Sequence, residues 1–168
     1  MSSADTTDTV VTAEPGSHAL SITRTFAAPR ELVFRAWSDP DLVVRWLGPR
    51  RLRMTVEHWE AVDGGRWGFT HVDPADPGTV HAFRGFFHGT PTVEDGLLWT
   101  FEYGGAPGHV ALERVTFAEE GGRTTMHTVA VHLSVADRDA VIAGGMEGGL
   151  RESYEQLDEV LADLRASV

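Results

Sequence analysis

Six segments rich in β-branched and aromatic residues follow one another between Pro49 and Ser134, and they constrain the fold more than any other feature of the sequence. Short turn-forming stretches separate them, such as residues 63–65 and 121–122. Neighbouring strands joined by short turns pair in antiparallel fashion, because a parallel connection needs a crossover of a dozen or more residues. The pattern therefore predicts an antiparallel meander.

Segments on either side of the meander predict one more strand and three helices. Residues 19–26, "ALSITRTF", alternate as a strand does, and "APRELVFRAWSDP" and "DLVVRWLGP" are typical of two short helices. Residues 137–164 carry apolar side chains at helical spacing. Because a sheet with one apolar face needs a cover, we predict an α+β fold in which about seven antiparallel strands wrap around this long C-terminal helix. We assign residues 18–168 to a single domain.

Charge and composition exclude several kinds of function. The chain has 25 acidic and 14 basic residues, a net charge of −11, which argues against nucleic-acid and anionic-membrane partners. Without cysteine it has no disulfide or thiolate metal site, and since no HExxH motif occurs we expect neither a metal nor a cofactor. Residues 1–17 lack the features of a secretory signal and predict a disordered tail, and no apolar run approaches the ~18 residues of a membrane span. We therefore predict a cytoplasmic protein.

The stretch "GGMEGG", residues 144–149, is unexpected in a helix, where each glycine costs roughly 1 kcal/mol relative to alanine. On a regular helix Gly145 and Gly149 share one flank, beside the stripe with Leu150 and Leu157 that we expect to be buried against the sheet. Two interpretations stay open. Either the two glycines form a groove where another backbone, of the short helices or of a second subunit, packs closely, or the segment is a flexible lid over a cavity.

Three segments in order resemble the bacterial branch of the family named for the activator of heat shock protein 90 ATPase. They are "ITRTFAAPRELVFRAWSDPDLVVRWLGP", "VDGGRWGF" and "VHLSVADRDAVIAGGMEGGLRESYEQLDEVLADL". The resemblance covers about residues 20–164. It implies the helix-grip fold of the START and polyketide-cyclase (SRPBCC) superfamily, with a cavity between the sheet and the last helix. The superfamily includes lipid carriers, hormone receptors, cyclases and chaperone-binding proteins, so the resemblance implies no single activity.

Aromatic residues at strand spacing predict the wall of that cavity. The period of two places Trp67, Phe69 and His71 on one face of their strand, and Trp99, Phe101 and Tyr103 on one face of another. We expect the C-terminal helix to face them and the second short helix to contribute a tryptophan near the mouth. The candidate ligand-binding residues are Trp46, Trp67, Phe69, His71, Trp99, Phe101, Tyr103, Met146, Leu150 and Tyr154.

Three functions fit this pattern. The first is binding of an apolar or aromatic small molecule without chemistry, since such cavities have apolar walls and few polar groups. The second is a cyclase- or hydrolase-type enzyme with His71 and Glu147 as acid–base candidates. The third is a chaperone-interacting module that resembles the ATPase activator. Whether the chain forms a homodimer is left open.

Overall fold

A single antiparallel sheet organises the part of the chain that the computed structural model describes, residues 8–167. Its strands are β1 (Val10–Thr12), β2 (Ala19–Phe26), β3 (Arg53–Trp59), β4 (Arg66–Asp73), β5 (Asp76–Phe86), β6 (Leu97–Tyr103), β7 (Val110–Glu120) and β8 (Arg123–Val131). Their order across the sheet is β1-β2-β8-β7-β6-β5-β4-β3, so β3 to β8 form the predicted meander. The helices are α1 (Arg30–Ser38), α2 (Pro40–Trp46), α3 (Val135–Ala143) and α4 (Met146–Ala166). The predicted α+β architecture is confirmed.

The additional strand, β1, lies within the predicted disordered tail. Val10–Thr12 pairs with β2, where Val11 stands opposite Ile22. Three residues are too few for a period-two pattern to stand out, which is why the sequence did not indicate a strand here. The predicted disorder is therefore wrong for this segment, and residues 1–7 of the predicted tail lie outside the described residues.

Asp39 separates the two short helices and belongs to both boundaries. It is the C-cap of α1 and the N-cap of α2. Its carboxylate accepts a hydrogen bond from the backbone N–H of Asp41, at 2.9 Å, in the first turn of α2. Pro40 at the start of α2 needs no N–H partner and fixes the helical φ. The chain therefore turns sharply, and α2 ends with Trp46 buried in the core.

The prediction of one continuous helix over residues 137–164 is wrong. The helix ends at Ala143, and Gly145 adopts a left-handed conformation with φ of +85°, in which its N–H bonds to the Ile142 carbonyl at 3.2 Å. A helical wheel assumes a constant turn angle, so it cannot represent this break. Gly145 is present because an L-residue is strained at such a φ, whereas glycine is not.

Close packing of the short helices against the glycines is also wrong, whereas packing of a second subunit there stays a prediction. A Cβ atom built on Gly145 would meet nothing within 4 Å, and one built on Gly149 would meet only Pro49 Cγ at 3.9 Å, an ordinary contact. Gly149 is therefore an interior helix position with room for a methyl group. The interpretation of this segment as a lid stays a prediction.

Helix α4 packs on the face of the sheet that carries the apolar side chains. Leu157 is completely buried, as expected, and Tyr154 contacts Phe26 of β2 edge-to-face, with ring centroids 5.8 Å apart. Leu150, which we expected to be buried, is only half-buried, since it lies one turn after the break. The second half of α4 thus forms the core, and its first half lies at the core's margin.

We predict that Leu157→Ala lowers the free energy of unfolding by about 2–5 kcal/mol, the range for truncation of a core leucine. Urea denaturation measures this loss. The control is Leu133→Ala, because Leu133 is 68% exposed, and it should change the free energy by about 0.5 kcal/mol or less. A loss below about 1 kcal/mol for the Leu157 variant would contradict the assigned core.

Two glycine variants should have opposite effects. Gly145→Ala should destabilise by about 1–2 kcal/mol, because alanine is strained at a positive φ. Gly149→Ala should stabilise by about 0.5–1 kcal/mol, because the helix is regular and uncrowded there. Thermal unfolding followed by circular dichroism compares the two, and equal shifts would mean that the helix break is not at Gly145.

Candidate functional site

The predicted aromatic residues come together around Trp99 of β6. The centroid of its ring system lies 4.8 Å from that of Trp67, 5.9 Å from that of Trp59 and 6.0 Å from that of Trp37. Trp67 in turn stacks on Phe69 at 5.5 Å. Rings at these separations are in direct contact. They therefore fill the centre of the space between the sheet and the helices.

The other candidates for the cavity wall lie around this cluster. Trp46 is not near a mouth but fully buried, and its Nε1–H donates to the Ala36 carbonyl at 2.9 Å. Tyr103 lies at the sheet margin, where its hydroxyl contacts His81 Nδ1 at 2.8 Å. The half-buried candidates at the margin of the core are Phe101, Met146 and Leu150.

His71 is buried at the point where the chain leaves α2. Its Nε2 donates to the Leu47 carbonyl at 3.1 Å, and the imidazole lies directly under Gly48, where a Cβ atom would come within 2.5 Å of His71 Cε1. Burial lowers the pKa of His71, so the neutral ring is favoured. Through these contacts His71 holds the loop after α2 against strand β4.

Glu147, the other acid–base candidate, is exposed in the first turn of α4. The carboxyl group that does enter the interior belongs to Glu113 of β7, at a position that alternates with the buried Ala111 and Val115. Sequence analysis missed it because charged residues in strands usually face solvent. The period of two in "VALERVTF" was the signal that could have found it.

Glu113 is held by one neighbour on β6. It stands opposite Trp99, whose Nε1–H donates to Glu113 Oε2 at 2.9 Å. Loss of hydration raises the pKa of the Glu113 carboxyl, and the bond from Trp99 partly opposes that rise. The side chain nevertheless keeps some accessible surface. The carboxyl therefore loses hydration although the residue is not completely buried.

Three oxygen atoms on this side of the sheet have no hydrogen-bond partner among residues 8–167. They are Glu113 Oε1, the Tyr154 hydroxyl of α4, and the Thr128 hydroxyl of β8. Thr128 stands opposite Val115, two residues along β7 from Glu113, so both side chains face the same side. Burial, together with the nearby charge of Glu113, raises the pKa of the Tyr154 hydroxyl, whereas Arg24 lowers it.

An open pocket of about 520 Å³ lies beside the first half of α4 and is lined by Asp8, Thr9, Arg24, Arg151 and Glu155. Its lining is charged and polar, in contrast to the apolar cavity that the sequence predicts. Arg24 forms part of its wall and is bound by both carboxylate oxygens of Asp158, at 3.1 and 2.8 Å. This pocket is therefore distinct in chemistry from the aromatic interior.

Within residues 8–167 no three His, Asp or Glu side chains are grouped so that they could hold a metal ion. No helix in the same range has both the length and the apolarity to cross a membrane.

The sequence matches the model of one protein family, described as Activator of Hsp90 ATPase homolog 1-like protein, over residues 27–162. The chain belongs to this family. Its helix-grip architecture, an antiparallel sheet that holds a C-terminal helix, agrees with solved structures of similar proteins and confirms the resemblance seen in the sequence. Among curated proteins no match was found.

Solved structures of bacterial proteins have the same fold as this family member. A Rhodobacter sphaeroides protein has 25% identity and a TM-score of 0.82, over 93% of this chain and 99% of that one. An Arthrobacter aurescens protein has 28% identity and a TM-score of 0.81, over 92% and 91%. The AHSA1 protein of Silicibacter pomeroyi, at 18% identity and a TM-score of 0.65 over 89% and 99%, shares the fold alone.

We predict that Glu113→Gln raises the melting temperature by a few degrees at neutral pH. The raised pKa means that the fold favours the protonated acid, so its contribution is complete below the unfolded-state pKa of about 4.5 and is lost as pH rises through the folded-state pKa. Glutamine keeps an oxygen for Trp99 and does not titrate. The gain should therefore vanish near pH 4. Calorimetry over this pH range measures it, and an equal gain at both pH values would contradict a buried carboxyl.

Proposed function

We propose that this protein binds an apolar or aromatic small molecule between the sheet and α4, where Glu113, Thr128 and Tyr154 orient it. The observation that carries the proposal is the set of three oxygens without partners in an otherwise aromatic interior. More than nine in ten buried polar groups in proteins are hydrogen-bonded. The buried Thr128 hydroxyl is such an exception, and it faces the same side of the sheet as Glu113, so a bound molecule would complete its hydrogen bonding.

Family membership supports this proposal. Helix-grip domains of this type are a family of ligand-binding domains. Apolar walls with a few polar groups are the usual composition of small-molecule sites, and tryptophans supply broad flat surfaces for aromatic ligands. Because the rings around Trp99 contact one another, we place the ligand beside that cluster, next to Glu113, and not within it.

The route to this place runs past the helix break. Met146 and Leu150 are half-buried, and no neighbour within 4 Å crowds Gly145 or Gly148. A segment with few close contacts opens at low free-energy cost. We therefore propose that residues 144–149 move to admit the ligand, which is the lid interpretation of this segment.

An enzyme of cyclase or hydrolase type is the second candidate. The observation in its favour is Glu113, since burial raises its pKa and a carboxylic acid with a raised pKa can serve as a proton donor. In this form of the proposal Glu113 takes the role that the sequence suggested for His71 and Glu147.

A chaperone-interacting module is the third candidate. On the outer face of the sheet Leu112 and Val131 stand opposite each other and are exposed, and the adjacent Leu133 is more exposed still. Apolar side chains grouped on a surface mark interaction sites more often than single ones do.

Tryptophan fluorescence tests the binding proposal. Titration with naphthylmethanol, an aromatic alcohol, should give a saturable change, because Trp99 donates to a side chain of the site. Tyr154→Phe and Thr128→Val should each weaken binding about fivefold, the effect of one hydrogen bond of roughly 1 kcal/mol.

The matched control is Leu133→Ala on the opposite face of the sheet, which should leave the affinity unchanged. If no saturable change occurs, or if the Leu133 variant weakens binding as much as the Tyr154 variant, the site is not between the sheet and α4. Native mass spectrometry of freshly purified protein gives an independent measurement, since a retained ligand adds its mass to that of the chain.

A further inference from the structure

We propose that the bound molecule is an apolar or aromatic amine whose ammonium group pairs with the Glu113 carboxylate. This inference rests on the proposed function and names the ligand class for the same site. It follows from three features of that site: the missing counter-charge of Glu113, the number of open acceptors, and the aromatic rings around them.

Glu113 forms no ion pair with any of residues 8–167. The chain contains no lysine, and the arginine next to the interior, Arg24, is held by Asp158 and by the Tyr154 carbonyl at 3.0 Å. A carboxylate inside a protein is normally paired, because an isolated buried charge is costly. The protein thus supplies one half of an ion pair, and a basic ligand would supply the other.

The open hydrogen-bonding positions match a primary ammonium group. Such a group has three N–H donors and no acceptor, whereas a carboxylate oxygen and a hydroxyl oxygen can both accept. The three oxygens without partners belong to Glu113, Thr128 and Tyr154, and the last two residues are only 4% and 2% exposed. An ammonium paired with Glu113 would have two further N–H donors for hydroxyl oxygens on the same side of the sheet, such as that of Thr128.

Aromatic rings close to these oxygens suit the apolar part of the ligand. Trp99 presents its indole N–H edge to the Glu113 carboxylate, and Tyr154 lies 6.4 Å from Trp46 between ring centroids. The rings therefore supply apolar contact area, and the charge of the ligand is left to the carboxylate. An anionic ligand would instead meet the charge of Glu113, and a chain of net charge −11 would disfavour it further.

The test compares three probes with one ring system: naphthylmethylamine, naphthylmethanol and naphthoic acid. Calorimetric titration at neutral pH should give an affinity for the amine about five- to tenfold above that for the alcohol, because hydrogen bonds to charged groups are stronger than those between neutral groups. The acid should bind more weakly than the alcohol. An amine that binds no better than the alcohol overturns the proposal.

Two variants assign the preference to the buried carboxyl. Glu113→Gln should abolish the advantage of the amine over the alcohol, because glutamine keeps an oxygen acceptor but carries no charge. Glu147→Gln removes the same charge from an exposed position and should leave the preference intact. Melting curves confirm that both variants are folded. A preference that persists in Glu113→Gln, or that Glu147→Gln removes, contradicts the assignment.

The outcomes separate the two proposals. Saturable binding of the alcohol with no preference for the amine leaves the proposed function standing and removes the amine as ligand class. If none of the three probes binds, both proposals fall for aromatic ligands of this size.

Discussion

The guanidinium of Arg24 determines how helix α4 lies on the sheet. Arg24 points inward from β2 and is only 6% exposed, yet it carries a permanent charge. Its donors bind both oxygens of Asp158 and the backbone carbonyl of Tyr154, and its Cζ atom lies 4.8 Å from the ring centroid of Phe26. A buried guanidinium is tolerated only where such partners surround it. Since two of them are on α4, the helix has one rotation that satisfies the charge, and this rotation turns the Tyr154 ring inward.

That rotation explains why the interior contains polar atoms at all. With Tyr154 directed toward Phe26 and Trp46, its hydroxyl enters the same region as the carboxyl of Glu113. Loss of hydration disfavours the ionised form of each group, and the two charges would also repel each other. Leucine or phenylalanine at these positions would have avoided the cost. The fold thus maintains polar groups where stability alone would select apolar ones, which is usual at functional sites and uncommon elsewhere.

The sequence predicted the meander and the inward faces of its strands because alternation is a local property of each strand. It did not predict the end of α3, because a helical wheel presumes a regular helix and Gly145 gives no sign of its φ in the sequence. Glu113 escaped notice for a different reason: its burial depends on a neighbour, Trp99, on another strand. The aromatic residues lie on the predicted faces, but whether they fill the interior or enclose a cavity depends on distances between strands and helices, which no sequence pattern contains.

The break at Gly145 also divides the C-terminal region into two helices, of which α4 is held in the core by more buried side chains than α3. The one buried residue of α3 is Arg138, whose side chain donates to the backbone carbonyl of Glu14 at 2.6 Å. By contrast, α4 places Leu157, Val160 and Leu161 in the core. Without a continuous hydrogen-bond ladder between them, α3 can open while α4 stays folded. Backbone amides of α3 would then exchange with solvent through a local opening, whereas those of α4 would exchange only on global unfolding, so one left-handed residue separates two timescales within one stretch of chain.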